Sequence, residues 1–194
     1  MKICMYKPLF GVGELFLRSI NEVGSRNSEE MEKLRFADKN KVDESSWLPI
    51  SCYISYVDSD TGEKFIESDV PSNCDGMMIF NKKGKEALSS FIKPYGQFLP
   101  LDCEGKELYI LNIFNVVDCL DLDKSEIMFR EELDLSDPQP VIDDYEFDVK
   151  KLGENALFRL PYKNEARIYF TESFINEIEK HQLTGFNYRA IWKS

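Results

Sequence analysis

Apolar and polar positions along the chain fall into a clear rhythm from about residue 48 onward. Ile50, Cys52, Ile54 and Tyr56 alternate with Ser51, Tyr53 and Ser55, which is the period of a strand buried on one face. Asp58-Ser59-Asp60-Thr61-Gly62 then supplies turn chemistry before Lys64-Phe65-Ile66, and a hairpin is predicted. The residues before this read as irregular. Gly24 to Asn27 forms a turn-like patch, Ser28 to Phe36 a short helix capped by Ser28, and Lys39 to Ser46 a polar loop.

The strongest pattern follows. Met77 to Phe80 is a short apolar strand, Asn81 caps a helix, and Leu88, Phe91 and Ile92 give that helix an apolar stripe. Pro94 and Gly96 end it, and Phe98 to Leu101 resumes as strand. After the turn Asp102-Cys103-Glu104-Gly105, Glu107 to Val117 is apolar on both faces, with Asn112 and Asn115 as its interior polar groups. Such a run predicts a central strand buried on both sides. The theme returns with Ile168-Tyr169-Phe170, the cap position Thr171, and the stripe Phe174, Ile175 and Ile178. Gly185 breaks that helix, and Phe186 to Trp192 forms the last strand. Strand–helix–turn–strand therefore occurs twice, about 90 residues apart. The expected fold is a single α+β domain over residues 1–194, with an irregular or hairpin part at 1–76 and an ordered part at 77–192. Its sheet should be mixed and largely antiparallel, with the two main helices on one face and the irregular N-terminal segment covering an edge.

Charge changes the picture more than composition does. The 194 residues carry a net charge of −11, and the negative charge is not spread evenly. Between Asp118 and Asp148 stand twelve acids against Lys124 and Arg130, so this stretch alone accounts for nearly all of it. Pro138 and Pro140 discourage continuous helix there, and much of it should be loop. Nucleic acids and anionic membranes are bound by cations, so neither is an expected partner. A basic protein is the natural complement. The candidate contact residues are Asp121, Asp123, Glu131, Glu132, Asp134, Asp137, Asp143, Asp144, Glu146 and Asp148. Tyr53, Tyr56, Tyr95, Tyr145 and Tyr188 are further candidates if exposed, though ordinary packing explains them more simply.

Catalytic chemistry finds little support. Asp121-Leu122-Asp123 is a D-x-D pair of the kind that holds a divalent ion, which keeps a metal-dependent enzyme as the alternative reading. Read as a calcium loop from Asp121, however, the stretch has Glu126 where the sharp turn needs glycine. The single histidine, His181, lies near a helix end, where a cation complements the helix dipole. No serine sits in G-x-S-x-G, and Gly11-Val12-Gly13 lacks the third glycine of a dinucleotide site. No metal or other cofactor is expected. The five cysteines, Cys4, Cys52, Cys74, Cys103 and Cys119, include no C-x-x-C, which points to free thiols in a reducing compartment. An apolar stretch of roughly 7–15 residues would mark an export signal, but Lys7, Pro8 and Glu14 interrupt the N-terminus. A cytoplasmic location is expected.

The second half also carries a family likeness. It runs through Phe98-Leu99-Pro100-Leu101, then Leu108-Tyr109-Ile110-Leu111-Asn112-Ile113-Phe114-Asn115-Val116-Val117-Asp118-Cys119-Leu120-Asp121 and Lys124-Ser125-Glu126. Leu157-Phe158-Arg159-Leu160-Pro161, Ile168-Tyr169-Phe170-Thr171-Glu172-Ser173-Phe174 and Leu183-Thr184-Gly185-Phe186 follow, closing on Ile191-Trp192. In order and spacing this resembles the Imm11 immunity-protein family over about Met77 to Trp192. The serine usual before the family's last helix is shifted here, with Thr171 at the cap and Ser173 two residues on. Residues 1–76 share no such likeness. The resemblance implies an antitoxin-like role, binding a cognate bacterial toxin encoded alongside; together with the acidic stretch it leads to the expectation of stoichiometric inhibition by occlusion, with Asp118 to Asp148 as the contact surface. The resemblance brings no catalytic residues with it.

Overall fold

The computed structural model describes residues 1–17, 41–72, 77–128, 141–162 and 166–194. The turn and helix expected over Gly24 to Phe36 lie outside them, as does Cys74. Among the described residues, eleven strands and three helices form an α+β fold with mixed, largely antiparallel sheets. One sheet has the order β2-β3-β5-β6-β4, from Glu14–Leu17 (β2), Ser51–Ser55 (β3), Ile79–Asn81 (β4), Gly96–Cys103 (β5) and Lys106–Ile113 (β6). The other has the order β11-β1-β10-β9, from Lys2–Tyr6 (β1), Leu157–Phe158 (β9), Tyr169–Thr171 (β10) and Tyr188–Lys193 (β11). Two short strands, β7 (Glu126–Ile127) and β8 (Ile142–Asp144), pair with each other.

The two strand–helix–strand units have the same topology. In the first, β4 leads through helix α1 (Lys82–Ile92) into β5, and β6 lies between the two strands, antiparallel to both. In the second, β10 leads through helix α3 (Glu172–Lys180) into β11, and β1 lies between them, again antiparallel to both. The central strand of the first unit is the next one along the chain. That of the second comes from the opposite end of the sequence. Here the irregular N-terminal segment expected from the pattern is corrected. Lys2–Tyr6 is not edge covering but an internal strand, with Ile3 and Cys4 fully buried. Five residues, broken on one side by Lys2 and on the other by Lys7 and Pro8, are too short for periodicity to reveal.

Each helix starts where the preceding strand ends. The Asn81 side chain accepts a hydrogen bond from the Gly84 amide at 2.9 Å, satisfying one of the unpaired donors of the α1 terminus. Thr171 occupies the cap position of α3 without making a side-chain cap bond. Helix α1 lies on β4, β5 and β6, and α3 on β1 and β10. Their apolar stripes meet in one cluster that includes Leu88, Ile92, Phe174 and Ile178 together with Cys4, Phe80, Leu111 and Phe170. The rings of Phe91 and Phe174 lie 5.9 Å apart at this junction. Strand β6 is buried on both faces as expected: Leu111 and Ile113 join this cluster, and Leu108 and Ile110 a second one with Cys52, Leu99 and Leu101. Each large side chain so buried contributes about 1.5–3 kcal/mol.

A polar clamp ties the units together. The buried carboxylate of Asp69 accepts from Asn81 Nδ2 at 3.0 Å, Lys83 Nζ at 2.8 Å, and the Thr184 amide and hydroxyl at 2.9 and 3.1 Å. The Asp69 carbonyl accepts from the Asn81 amide, and Val70 donates to the Thr184 carbonyl. The start of α1 and the turn after α3 thus share one anchor. Gly185 allows this approach. Its φ is +81°, and a Cβ there would meet Ser68 and the Val70 carbonyl at 2.6 Å, so only glycine fits both the conformation and the space.

Burial pushes the Asp69 carboxyl up, but its hydrogen bonds to Lys83, Thr184 and Asn81 outweigh this and hold it below the usual carboxylate range. The clamp's contribution is therefore complete above the ordinary aspartate pKa of about 3.9 and is lost as pH falls through the lower folded value. Asp69→Asn should cost about 2 kcal/mol at pH 7 in urea unfolding, with the difference from the parent chain shrinking at pH 3. An unchanged midpoint at pH 7 would remove the clamp from the account. Ile3→Ala should cost about 2–4 kcal/mol by the same measurement, as a fully buried internal strand position requires. A loss within 0.5 kcal/mol would return β1 to a dispensable edge.

Candidate partner-binding surface

The acidic stretch is not a free loop. Its apolar residues cover the face of the four-stranded sheet opposite α3, where Cys119, Leu120, Ile142, Tyr145 and Phe147 pack against Ile3, Phe158 and Tyr169. Backbone bonds fix it there. Leu120 bridges Phe147, the Asp121 amide donates to the Glu146 carbonyl, and the Asp148 amide donates to the Cys119 carbonyl. Aromatic contacts run through it, with Phe147 edge-on to Phe158 and to Trp192. Buried Ile142, Tyr145 and Phe147 are interleaved with exposed Asp143 and Asp144 and half-buried Glu146 and Asp148. Driving the apolar members into the sheet leaves their acidic neighbours at the surface. Tyr145 is taken up by ordinary packing: only 3% of it is exposed, and its hydroxyl accepts from Arg167. Tyr53 is exposed, and Tyr56, Tyr95 and Tyr188 are half-buried.

The candidate acids divide by what they already do. Asp121 accepts from the amides of Asp123 and Lys124 and from Lys124 Nζ at 2.6 Å. The Lys124 ammonium holds the Asp121 carboxyl below its ordinary value. Glu146 accepts from the Trp192 indole at 3.0 Å, joining the stretch to β11. Asp148 caps helix α2 (Val149–Leu152), accepting from the amides of Lys150 and Lys151. These three are structural as well as acidic. Asp118, Asp123, Glu126, Asp143 and Asp144 stand exposed. Glu126 and Asp144 face each other across the β7–β8 pair, an arrangement of like charges that costs the fold stability. Glu131, Glu132, Asp134 and Asp137 lie outside the described residues.

Geometry bears on the enzymatic alternative as well. The D-x-D pair does not present two open carboxylates, because Asp121 is committed to its own turn and to Lys124. Among the described residues no three His, Cys, Asp or Glu side chains cluster as a metal site would require. His181 sits at the C-terminal cap of α3, 3.5 Å from Glu177. Cys119 is buried and its thiol is pushed up to about 12, which keeps it protonated at neutral pH. Asn115, two residues past the end of β6, donates to the Leu157 carbonyl and to Asn155, tying the segment after β6 to β9.

Residues 101–193 match the immunity protein family Imm11. The Imm11 stretch begins within β5 and runs to the end of β11, and it includes the whole acidic stretch. It starts later than the resemblance read from Met77, leaving β4 and α1 outside the match. No curated protein matches the chain. The Imm11 stretch supplies three of the four strands of its sheet. The fourth, β1, comes from residues 2–6.

Asp148→Ala should therefore cost about 1 kcal/mol through loss of the α2 cap. Asp143→Ala should stay within about 0.5 kcal/mol of the parent. Urea unfolding of the two variants checks this division, and equal costs would contradict it.

Proposed function

We propose that this protein neutralises a cognate bacterial toxin by binding it one-to-one and occluding its active surface, without catalysis of its own. The family match over residues 101–193 carries the immunity role. The finer reading, that the acidic face makes the contact, is supported by one observation: Glu126, Asp143 and Asp144 stand exposed on a stretch whose apolar side is fixed to the sheet. Asp143, Asp144 and Glu126 form the centre of this surface. Asp121, Asp123, Glu146 and Asp148 border it, and Glu131, Glu132, Asp134 and Asp137 belong to the same run of sequence. A rigid backing matters here, since preorganised charges bind without the entropic cost of ordering a loop.

The partner that fits is a basic protein surface, such as the cleft of a toxin that acts on phosphate-bearing substrates. Complementary charge would steer the encounter and raise the association rate toward ~10⁸–10⁹ M⁻¹s⁻¹ at low salt. Nucleic acid and anionic membrane are repelled by the same charges. Among the described residues no helix is long and apolar enough to cross a membrane. The cytoplasm, where a toxin's targets lie, is the place where such an inhibitor acts. The chain is read as one folding unit, because side chains from both 1–76 and 77–192 share its central core.

The test is the triple variant Glu126→Gln, Asp143→Asn, Asp144→Asn, whose unfolding midpoint should be no lower than the parent's, since it also removes the repulsion between Glu126 and Asp144. It should bind the co-expressed toxin at least ten-fold more weakly at low salt, by calorimetry, with a shallower dependence on salt. Undiminished affinity would move the contact elsewhere on the protein.

A further inference from the structure

Away from the acidic face, a cavity of about 270 Å³ opens between the start of α1, the β5–β6 turn and the segment before Asp69. Its lining includes Tyr56, Glu67, Lys82, Lys83, Lys106 and Glu107. Lys82, Lys83 and Lys106, from two distant stretches, therefore line one hollow in a chain whose net charge is −11. Two of them stand in the first turn of α1, which holds no acid. Cations there oppose the helix dipole and cost the helix stability, and departures from local rules of this kind collect at functional sites.

The cations differ in how they are held. Lys83 is fixed by the buried Asp69 carboxylate and by the Gln182 carbonyl, so the clamp also positions this wall of the cavity. Lys82 pairs with Glu107 at 3.0 Å, and Lys106 pairs with Glu67 while lying over the Tyr56 ring. Glu107 and Glu67 are 59% and 69% exposed. Surface pairs of that exposure contribute little net stability, and either glutamate can rotate into water to release its lysine.

We infer that this cavity is an oxyanion site that takes a phosphate group, held by Lys82 and Lys106 in exchange for Glu107 and Glu67. A doubly charged tetrahedral anion carries enough charge to replace both glutamates. A carboxylate offers no more than the two glutamates already present. Pairing in the free protein keeps the cations from repelling one another until the ligand arrives.

The experiment is a ¹⁵N-NMR titration of the full chain with inorganic phosphate at constant ionic strength, with acetate as the parallel arm. Saturable shifts confined to Lys82, Lys83, Gly105 and Lys106 with phosphate, and none with acetate, are expected. Lys106→Gln and Lys82→Gln, both at exposed positions, should each weaken binding at least five-fold and leave the rest of the spectrum in place. The proposal is overturned by linear, non-saturating shifts, by equal response to acetate, or by variants that titrate like the parent. Should a variant fail to fold, the two anion arms on the parent chain still decide.

Discussion

The sheet that backs the acidic stretch depends on a strand that the second half of the chain does not contain. Lys2–Tyr6 lies between β10 and β11 and bonds to both. Without it, neither neighbour would have its inner partner, and Ile3 would no longer back the aromatic cluster beneath the acidic stretch. Residue 3 faces that cluster while Cys4 faces the helical core, so five residues support both layers. The family match over residues 101–193 thus describes a recognisable stretch, while its sheet is completed from outside it.

The two strand–helix–strand units show how one local pattern can serve two topological origins. In each, a short strand runs into a helix and returns as a parallel partner with an antiparallel strand between them. The intervening strand is adjacent in sequence in one case and distant in the other, which makes closure of the second unit the entropically harder step. Asp69 and Gly185 hold the units in register. The clamp centres on a buried carboxylate that accepts from Asn81, Lys83 and Thr184, so it specifies one arrangement where apolar packing alone would tolerate several.

How much of this was legible in the sequence follows from the range over which each signal acts. Asn81, the Leu88–Phe91–Ile92 stripe, the doubly buried β6 and the Phe174–Ile178 stripe were all readable, because capping and periodicity are local. β1 was not, since its burial comes from strands more than 160 residues away. The acidic stretch was located by charge and expected to be loop in much of its length, as its described residues are, but the packing of its apolar members on the sheet was not seen. Its Ile142-x-x-Tyr145-x-Phe147 residues are too few and unevenly spaced to announce a packed face. Asp148 as a cap was within reach, because Val149-Lys150-Lys151-Leu152-Gly153 follows it as a short helix with a glycine stop. Glu146 bonding Trp192 and Asp69 bonding Thr184 were beyond any sequence window. Such long-range partners decide which acids are free for a ligand and which already have work in the fold.

The functional account rests on separating those two kinds of acid. Charge alone would make every Asp and Glu in the stretch equivalent, whereas the fold leaves a smaller set facing outward on a fixed support. Amide hydrogen exchange of the protein, free and in complex with its co-expressed toxin, tests that claim most directly. The account predicts added protection at residues 118–128 and 141–148, with β2 and β3 unchanged. Protection confined to β2 and β3, with the acidic face exchanging as in the free protein, would contradict it.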